Sequence, residues 1–212
     1  MLLVQTRFIL IQLKHGLKRH NKITIMYTSQ ILSFSENKIT YTDNDIDIDW
    51  EVMMDWEDPL MAASAAYVCE GGGDVLEIGF GMGISATYIQ SHTINSHTII
   101  ENHPQIIPKA RAWAADKPNV TIIEGSWYGV KDTLSTYDGL FMDTYGDQDM
   151  DKFSTLLPLL MKVGGRATWW NSMIGSENFY GISDVVYDIY EVSPPTNNYF
   201  NYSQYYLPKK QF

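Results

Sequence analysis

The stretch DVLEIGFGMGIS, Asp74 to Ser85, carries the organising signal of this chain. An apolar run of strand length holds one acid, Glu77, and passes into three glycines spaced two apart, Gly79, Gly81 and Gly83. In a doubly wound sheet, the turn after such a strand brings the main chain against a ligand. The helix that follows, here from about Met82 to Ser85, offers N–H groups without intrahelical partners.

The flanking sequence repeats the same alternation. Upstream, PLMAASAAYVC has apolar residues at helical spacing, with Pro59 suited to a first turn. Downstream, ISATYIQSH reads as helix, HTIIE as strand, and PQIIPKARAWAADK as a helix stopped near Pro118. NVTIIEG and YDGLFMDTY are further strands, QDMDKFSTLLPLLMKVGG is a helix with a glycine stop, and RATWWN is a strand. Strands alternating with helices predict an α/β, doubly wound, mostly parallel sheet of Rossmann-like type with right-handed crossovers. The tail departs from this, since SDVVYDIYEVSPP and NYFNYSQYYLP predict an antiparallel hairpin at the sheet edge.

Composition narrows the ligand. The 212 residues carry a net charge of −10 and 45% hydrophobic residues, which suits one substantial core. Nucleic acid is excluded as a main partner, because phosphate binding needs clustered Lys and Arg. No apolar run is long enough to cross a bilayer. The expectation is a cytoplasmic monomer or homodimer with a small, cationic ligand. The single cysteine, Cys69, reads as a small buried hydrophobe, and no metal-ligating pattern is present. His92, His97 and His103 read as surface or cap residues, and the acidic TDNDIDID run reads as a solvated loop without the glycine of a calcium loop. The first 22 residues hold five Lys or Arg and no acid. Residues 1–25 are therefore set aside as an extension outside the fold, with Met26 a candidate start and a transit peptide the alternative.

Glu101 ends the second strand 22 positions after Gly79, the place of a carboxylate that accepts from both ribose hydroxyls. Turn and acid together describe an adenosine pocket. A dinucleotide turn would be G-x-G-x-x-G, yet the position three after Gly81 is Ile84. The turn therefore suits S-adenosylmethionine better than NAD, with Glu77 near the methionine end of the donor. Two more acids stand out. Glu57 lies among Met53, Met54, Trp56 and Met61, and Asp143 ends a strand at the rim of the glycine turn. Carboxylates among apolar side chains need a cationic partner, and a planar guanidinium prefers acids that can grip it at two edges.

The segments VMMDWEDPLM, VLEIGFGMGIS, IIENH, EGSWYG, FMDTYGD and VSPPTNNYFNYSQYYLP resemble, in order and spacing, those of guanidinoacetate N-methyltransferase. Several also resemble the related protein-arginine δ-N-methyltransferases. The resemblance runs from about residue 50 to the C-terminus and implies a class I methyltransferase domain over 58–212, preceded by a lid segment over 26–57. It implies that Gly79, Phe80, Gly81, Met82, Gly83, Ile84 and Ser85 wrap the donor, and that Glu101, with Asn102 beside it, holds the ribose. Trp127 and Tyr128 would flank the adenine, Met53 and Met61 would line the same pocket, and the methionines equally suit a core. Glu57 and Asp143 would grip the acceptor guanidinium, with Asp143 as general base. Asn171, Ser172 and Met173 would face the acceptor's other end. The chain is shorter than the family between Trp170 and Pro194, and Trp50 is a candidate for the family's acceptor-contacting tryptophan. The expected function is methylation of a small guanidino compound such as guanidinoacetate. The alternatives are an arginine side chain of a protein as acceptor, and a donor-binding domain without turnover.

Overall fold

The structure, a computed structural model, describes residues 27–43, 47–177 and 180–212. The extension expected over residues 1–25 lies outside them. The first described elements form a small antiparallel sheet of β1 (Ser33–Phe34), β2 (Lys38–Asp43) and β3 (Ile48–Met54). β2 and β3 pair from Lys38 with Met54 to Asp43 with Ile48, interrupted by a bulge between Ile39 and Thr40. The acidic run is thus not simply a loop, since its ends belong to two paired strands. Alternation of Asp with β-branched and aromatic residues satisfies a strand with one wet face.

The remaining strands are β4 (Asp74–Ile78), β5 (Ser96–Glu101), β6 (Val120–Glu124), β7 (Tyr137–Met142), β8 (Met161–Trp169), β9 (Val186–Glu191) and β10 (Gln204–Gln211). They form one sheet in the order β6-β5-β4-β7-β8-β10-β9. β4 to β8 are parallel, and β10 inserts antiparallel between β8 and β9. The connecting helices are α1 (Asp58–Cys69), α2 (Ile84–Ser91), α3 (Ile107–Ala114), the short α4 (Trp127–Val130) and α5 (Phe153–Leu160). This is the expected doubly wound sheet with its C-terminal hairpin. Among the described residues no helix is long and apolar enough to cross a membrane.

The core sits on both faces of the central strands. Leu76, Ile78, Leu140, Met142 and Trp169 pack with Phe153 and Leu157 of α5 on one side. Val75 and Phe141 pack with Ala65, Val68 and Cys69 of α1 on the other. Because both faces are covered, the strands read as unbroken apolar runs. One boundary differs from expectation. The helix ends at Leu160, and MKVGG is already β8. Gly164 N–H donates to the Phe212 carbonyl at 2.6 Å and Phe212 N–H returns a bond to Gly165 at 3.0 Å, so the C-terminus draws this segment into the sheet.

The glycine turn owes two of its glycines to the protein's own atoms. Gly79 has φ of 94°, and a Cβ there would strike the Asp143 carbonyl oxygen. Gly81 has φ of 53°, and a Cβ would meet the Met53 sulfur. Both conformations disfavour any residue with a Cβ. Gly79→Ala is expected to destabilise the chain by about 2 kcal/mol or more, through strain and displacement of the β7 end. Equilibrium denaturation followed by circular dichroism measures this, and an unchanged midpoint would contradict the tight abutment.

Candidate active site

A cleft opens at the carboxyl ends of β4, β5 and β7, where β4 leads off to one side of the sheet and β7 lies on the other. This is the switch point at which doubly wound sheets bind ligands. The Asp143 N–H donates to the Ile78 carbonyl at 2.9 Å, which holds the end of β7 beside the glycine turn. Glu101 ends β5 with its carboxylate tied down, one oxygen accepting from Phe80 N–H at 3.0 Å and the other from the N–H groups of Asn102 and His103 at 2.8 Å. Three backbone donors fix its orientation toward the cleft it lines.

The cleft is acidic. Glu101, Asp143 and Asp147 line it, and among the described residues no Lys, Arg or His does. Trp127 Nε1 donates to the Asp147 carboxylate, and Thr144 donates to the same oxygen at 3.2 Å. Tyr27, Tyr145, Val52 and Ile106 complete the wall, and Tyr27 packs its ring at 4.8 Å from His103 and 5.1 Å from Tyr145.

Beyond Asp143 lies a second group of side chains, largely aromatic, around Glu57. Glu57 is 3% exposed, in a single 3-10 turn (Asp55–Glu57) that joins β3 to α1. Its Oε1 accepts from Met54 N–H at 2.9 Å and from the Tyr199 hydroxyl at 2.6 Å. The N-terminus of α1 follows directly, a favourable place for an anion. Burial nonetheless drives the Glu57 carboxyl well above the usual carboxylate range, and the charge of Asp143 adds to this, while the Tyr199 and Met54 hydrogen bonds oppose it. Asp143 is also raised, first by burial and then by the charge of Glu77. Its side chain accepts no hydrogen bond among the described residues, and its remaining exposure faces the cleft. The field of Asp143 also reaches Tyr180, Tyr199 and Tyr205, so this acid stands between the cleft and the aromatic group.

Of the residues expected from sequence, Met53, Gly79, Phe80, Gly81, Ser85, Glu101, Asn102, Trp127 and Asp143 line the cleft together. Met61, Glu77, Met82, Gly83, Ile84 and Tyr128 do not. Met61 is core against Phe141. Met82 donates its N–H to the Met53 sulfur at 3.2 Å, so Met53 buttresses the turn as well as lining the cleft. Tyr128 faces the ammonium groups of Lys131 and Lys152, at 5.1 and 5.5 Å from its ring. Glu77 is wholly enclosed: one oxygen accepts from the Ser85 hydroxyl, and the other stands 2.9 Å from His97 Nε2. It therefore acts on the cleft through Ser85, not as a wall of it. His97 is correspondingly buried at 0% exposure, and His103 at 1%, which corrects the expectation that these two lie at the surface. The capping reading stands for His103, whose Nδ1 accepts from Gln105 N–H, and for the half-buried His92, which caps the end of α2.

Asn171, Ser172 and Met173 also lie outside the cleft. Asn171 is spent on the fold, its N–H donating to the Tyr205 hydroxyl, its amide to the Tyr206 carbonyl, and its oxygen accepting from Met173 N–H. Trp50 is buried in β3 and does not line the cleft either. Tyr27, Tyr145, Asp147 and Tyr199 were missed from sequence. For Asp147 the signal was present, four positions beyond Asp143 in the same segment.

A sequence profile described as guanidinoacetate N-methyltransferase matches residues 30–171. The chain belongs to this family. Among curated proteins, the family member is 32% identical over 178 residues to protein arginine N-methyltransferase 2 of Yarrowia lipolytica, covering 76% of this chain and 36% of that one. It is 35% identical over 152 residues to the Kluyveromyces lactis protein of the same name, covering 66% and 36%. It thus spans little more than a third of these relatives' length. Among solved structures, the N-methyltransferase NodS from Bradyrhizobium japonicum superposes with a TM-score of 0.58 at 14% identity, covering 74% of this chain and 96% of that one. Spermidine synthase from Thermotoga maritima superposes with a TM-score of 0.57 at 13% identity, covering 85% and 72%. At such identities these neighbours establish the class I methyltransferase fold.

The cofactor of this family is S-adenosylmethionine, and the cleft fits it. A backbone-clamped carboxylate is available to ribose hydroxyls, and a wall that among the described residues carries acids and no basic side chain suits a sulfonium while repelling a pyrophosphate.

The raised carboxyls set a sign for stability. A carboxyl whose native value lies above its unfolded value of about 4 contributes stability that is complete below that value and is lost as pH rises through the native one. Without ligand, Glu57→Gln should therefore raise the thermal midpoint at about pH 8 by a few degrees, with the gain vanishing near about pH 4. Differential scanning calorimetry of both proteins checks this. A gain that persists undiminished in acid would mean that burial of a charge is not its origin.

Proposed function

We propose that this chain transfers a methyl group from S-adenosylmethionine to the guanidino group of an arginine side chain in a protein. The observation that carries the reading is the pair of raised carboxyls, Glu57 buried and Asp143 half-buried at the cleft, at the boundary between the donor cleft and the aromatic group. Neither acid has a cationic side chain bonded to it among the described residues, so each suits a cation brought by the acceptor.

Two features favour a protein arginine over guanidinoacetate, the acceptor expected at first. The relatives of 31–35% identity bear the name protein arginine N-methyltransferase 2. In addition, guanidinoacetate carries a carboxylate, and Asn171, expected at that end, has both ends of its amide engaged elsewhere. The described residues between β8 and β9 form no helix or strand, and Ile174 there is exposed. An open rim of this kind suits a side chain that enters from a polypeptide.

S-adenosylmethionine supplies a methyl group on a sulfonium, which an acceptor nitrogen displaces in line. A guanidinium, with a pKa above about 12, has no free lone pair, so a proton must leave as the nitrogen–carbon bond forms. Asp143, at the cleft, takes that proton. Glu57 holds the other edge of the planar cation and keeps the nitrogen aligned. The aromatic rings of Trp56, Trp170 and Tyr199 exclude water and offer faces to the cation. The relation of acids and cation is mutual: the cation restores ionisation to carboxyls that burial had driven toward the neutral form.

Asp143→Asn is expected to lower turnover at least about a hundredfold while leaving the dissociation constant for S-adenosylhomocysteine within a few-fold of wild type. The assay uses labelled donor with an arginine-bearing basic peptide, free arginine and guanidinoacetate. Normal turnover in the variant would remove Asp143 from the base role. Labelling of guanidinoacetate alone would overturn the protein acceptor.

A further inference from the structure

Tyr199 comes from the segment between β9 and β10, yet its hydroxyl ends on Glu57, 142 residues away in sequence. The segment is built to deliver it. The Asn197 side chain accepts from the N–H groups of Tyr199 at 3.0 Å and Phe200 at 2.7 Å, and its amide donates to the Pro195 and Phe200 carbonyls at 2.8 Å. One side chain therefore closes the whole turn. Asn198 fastens the turn to β3, its amide donating to the Asp49 carbonyl at 2.8 Å and its N–H reaching Glu51 at 3.3 Å. The Tyr199 ring stacks on Trp56 with centroids 6.1 Å apart, and Trp56 Nε1 donates to the Tyr199 oxygen at 2.9 Å.

The hydroxyl is thus committed in direction. It accepts from the indole and so must donate its only proton to Glu57 Oε1. That oxygen also takes Met54 N–H, while Oε2 accepts no hydrogen bond among the described residues. We propose that Tyr199 is a positioning residue, which orients Glu57 with Oε2 toward the acceptor and keeps the carboxylate ionised for a guanidinium. This rests on the function proposed above and assigns the C-terminal segment a part in acceptor recognition.

The charged and titratable groups that face Glu57 are Asp143 from the end of β7, Tyr199 itself, and Tyr205 of β10. The first opposes ionisation of Glu57 by its charge, and the Tyr199 hydroxyl and the Met54 N–H oppose that in turn. A hydrogen bond to a charged group shifts an equilibrium about ten- to a hundredfold. Removing it should move the acid side of a pH profile upward by about one unit.

The test is Tyr199→Phe, which keeps the ring packed on Trp56. With an arginine-bearing basic peptide, the acid limb of kcat/KM should move up by about one pH unit, and the peptide KM near neutrality should rise about tenfold. The maximal kcat at high pH and the affinity for S-adenosylhomocysteine should hold within a few-fold. In a Glu57→Gln background the same change should move neither limb nor KM. Trp56→Phe, which removes the donor to the Tyr199 oxygen, should shift the limb in the same direction and by less, and serves also if Tyr199→Phe proves unstable. An unmoved limb, or an equal shift in the Glu57→Gln background, overturns the proposal. Should the wild type methylate no guanidine, the proposed function falls separately. The titration of the Glu57 carboxyl, followed by carbon-13 NMR in the ligand-free chain, then decides: a rise in Tyr199→Phe supports the positioning role, and no change ends it.

Discussion

Two backbone approaches at the ends of adjacent strands hold the rest of the site in register. Asp143 N–H bonds to the carbonyl of Ile78, and Gly79 passes so close to the Asp143 carbonyl that a methyl group could not fit between them. The proposed base is therefore placed by main chain. Its side chain needs no hydrogen bond to hold it and keeps its lone pairs free for the cleft. The glycine turn then fixes the start of α2 relative to that acid, and the Glu101 carboxylate reaches across to accept from Phe80 N–H inside the turn. Donor cleft and proposed base are parts of one hydrogen-bonded unit at the ends of β4, β5 and β7, from which the wider sheet extends.

The electrostatics run against the fold in this region. Glu57 and Asp143 both sit where burial raises them, and each feels a further carboxylate. With a net charge of −10, the chain has few cations to spare, and those near the sheet are spent elsewhere, as Lys162 is between Asp74 and Asp138. Acids buried without cations are costly, and natural proteins keep such features where function needs them. The cost is partly offset locally by the N-terminus of α1, by Met54 N–H and by the Tyr199 hydroxyl. What remains is stored against the arrival of a cation.

Sequence patterns reported what depends on neighbours in the chain. β4, β5 and β7 were legible because VLEI, TIIE and GLFM are strands covered on both faces, which are apolar along most of their length. Met53, Glu101, Trp127 and Asp143 were legible because each flanks the end of an element in a segment with a recognisable resemblance. Pairings across the fold left no such trace. A glutamate inside a strand looks the same whether it faces a ligand or, as Glu77 does, a buried histidine. The strand at Lys38–Asp43 was hidden by its polar residues, which one wet face accommodates, and the early start of β8 depends on Phe212, near the other end of the described chain. Tyr199 was beyond reach for the same reason, since its role exists only once β10 has entered the sheet.

The place of β10 has a consequence for the order in which the protein is made. This strand is an interior one, with β8 on one side and β9 on the other, although its residues emerge from the ribosome long after those of β8. The nascent sheet must leave the flank of β8 open, and Glu57 remains without its tyrosine partner until the tail is threaded in. Capacity to bind a methyl donor can therefore precede capacity to grip an acceptor. Entry of β10 between β8 and β9 becomes the step that completes the group around Glu57.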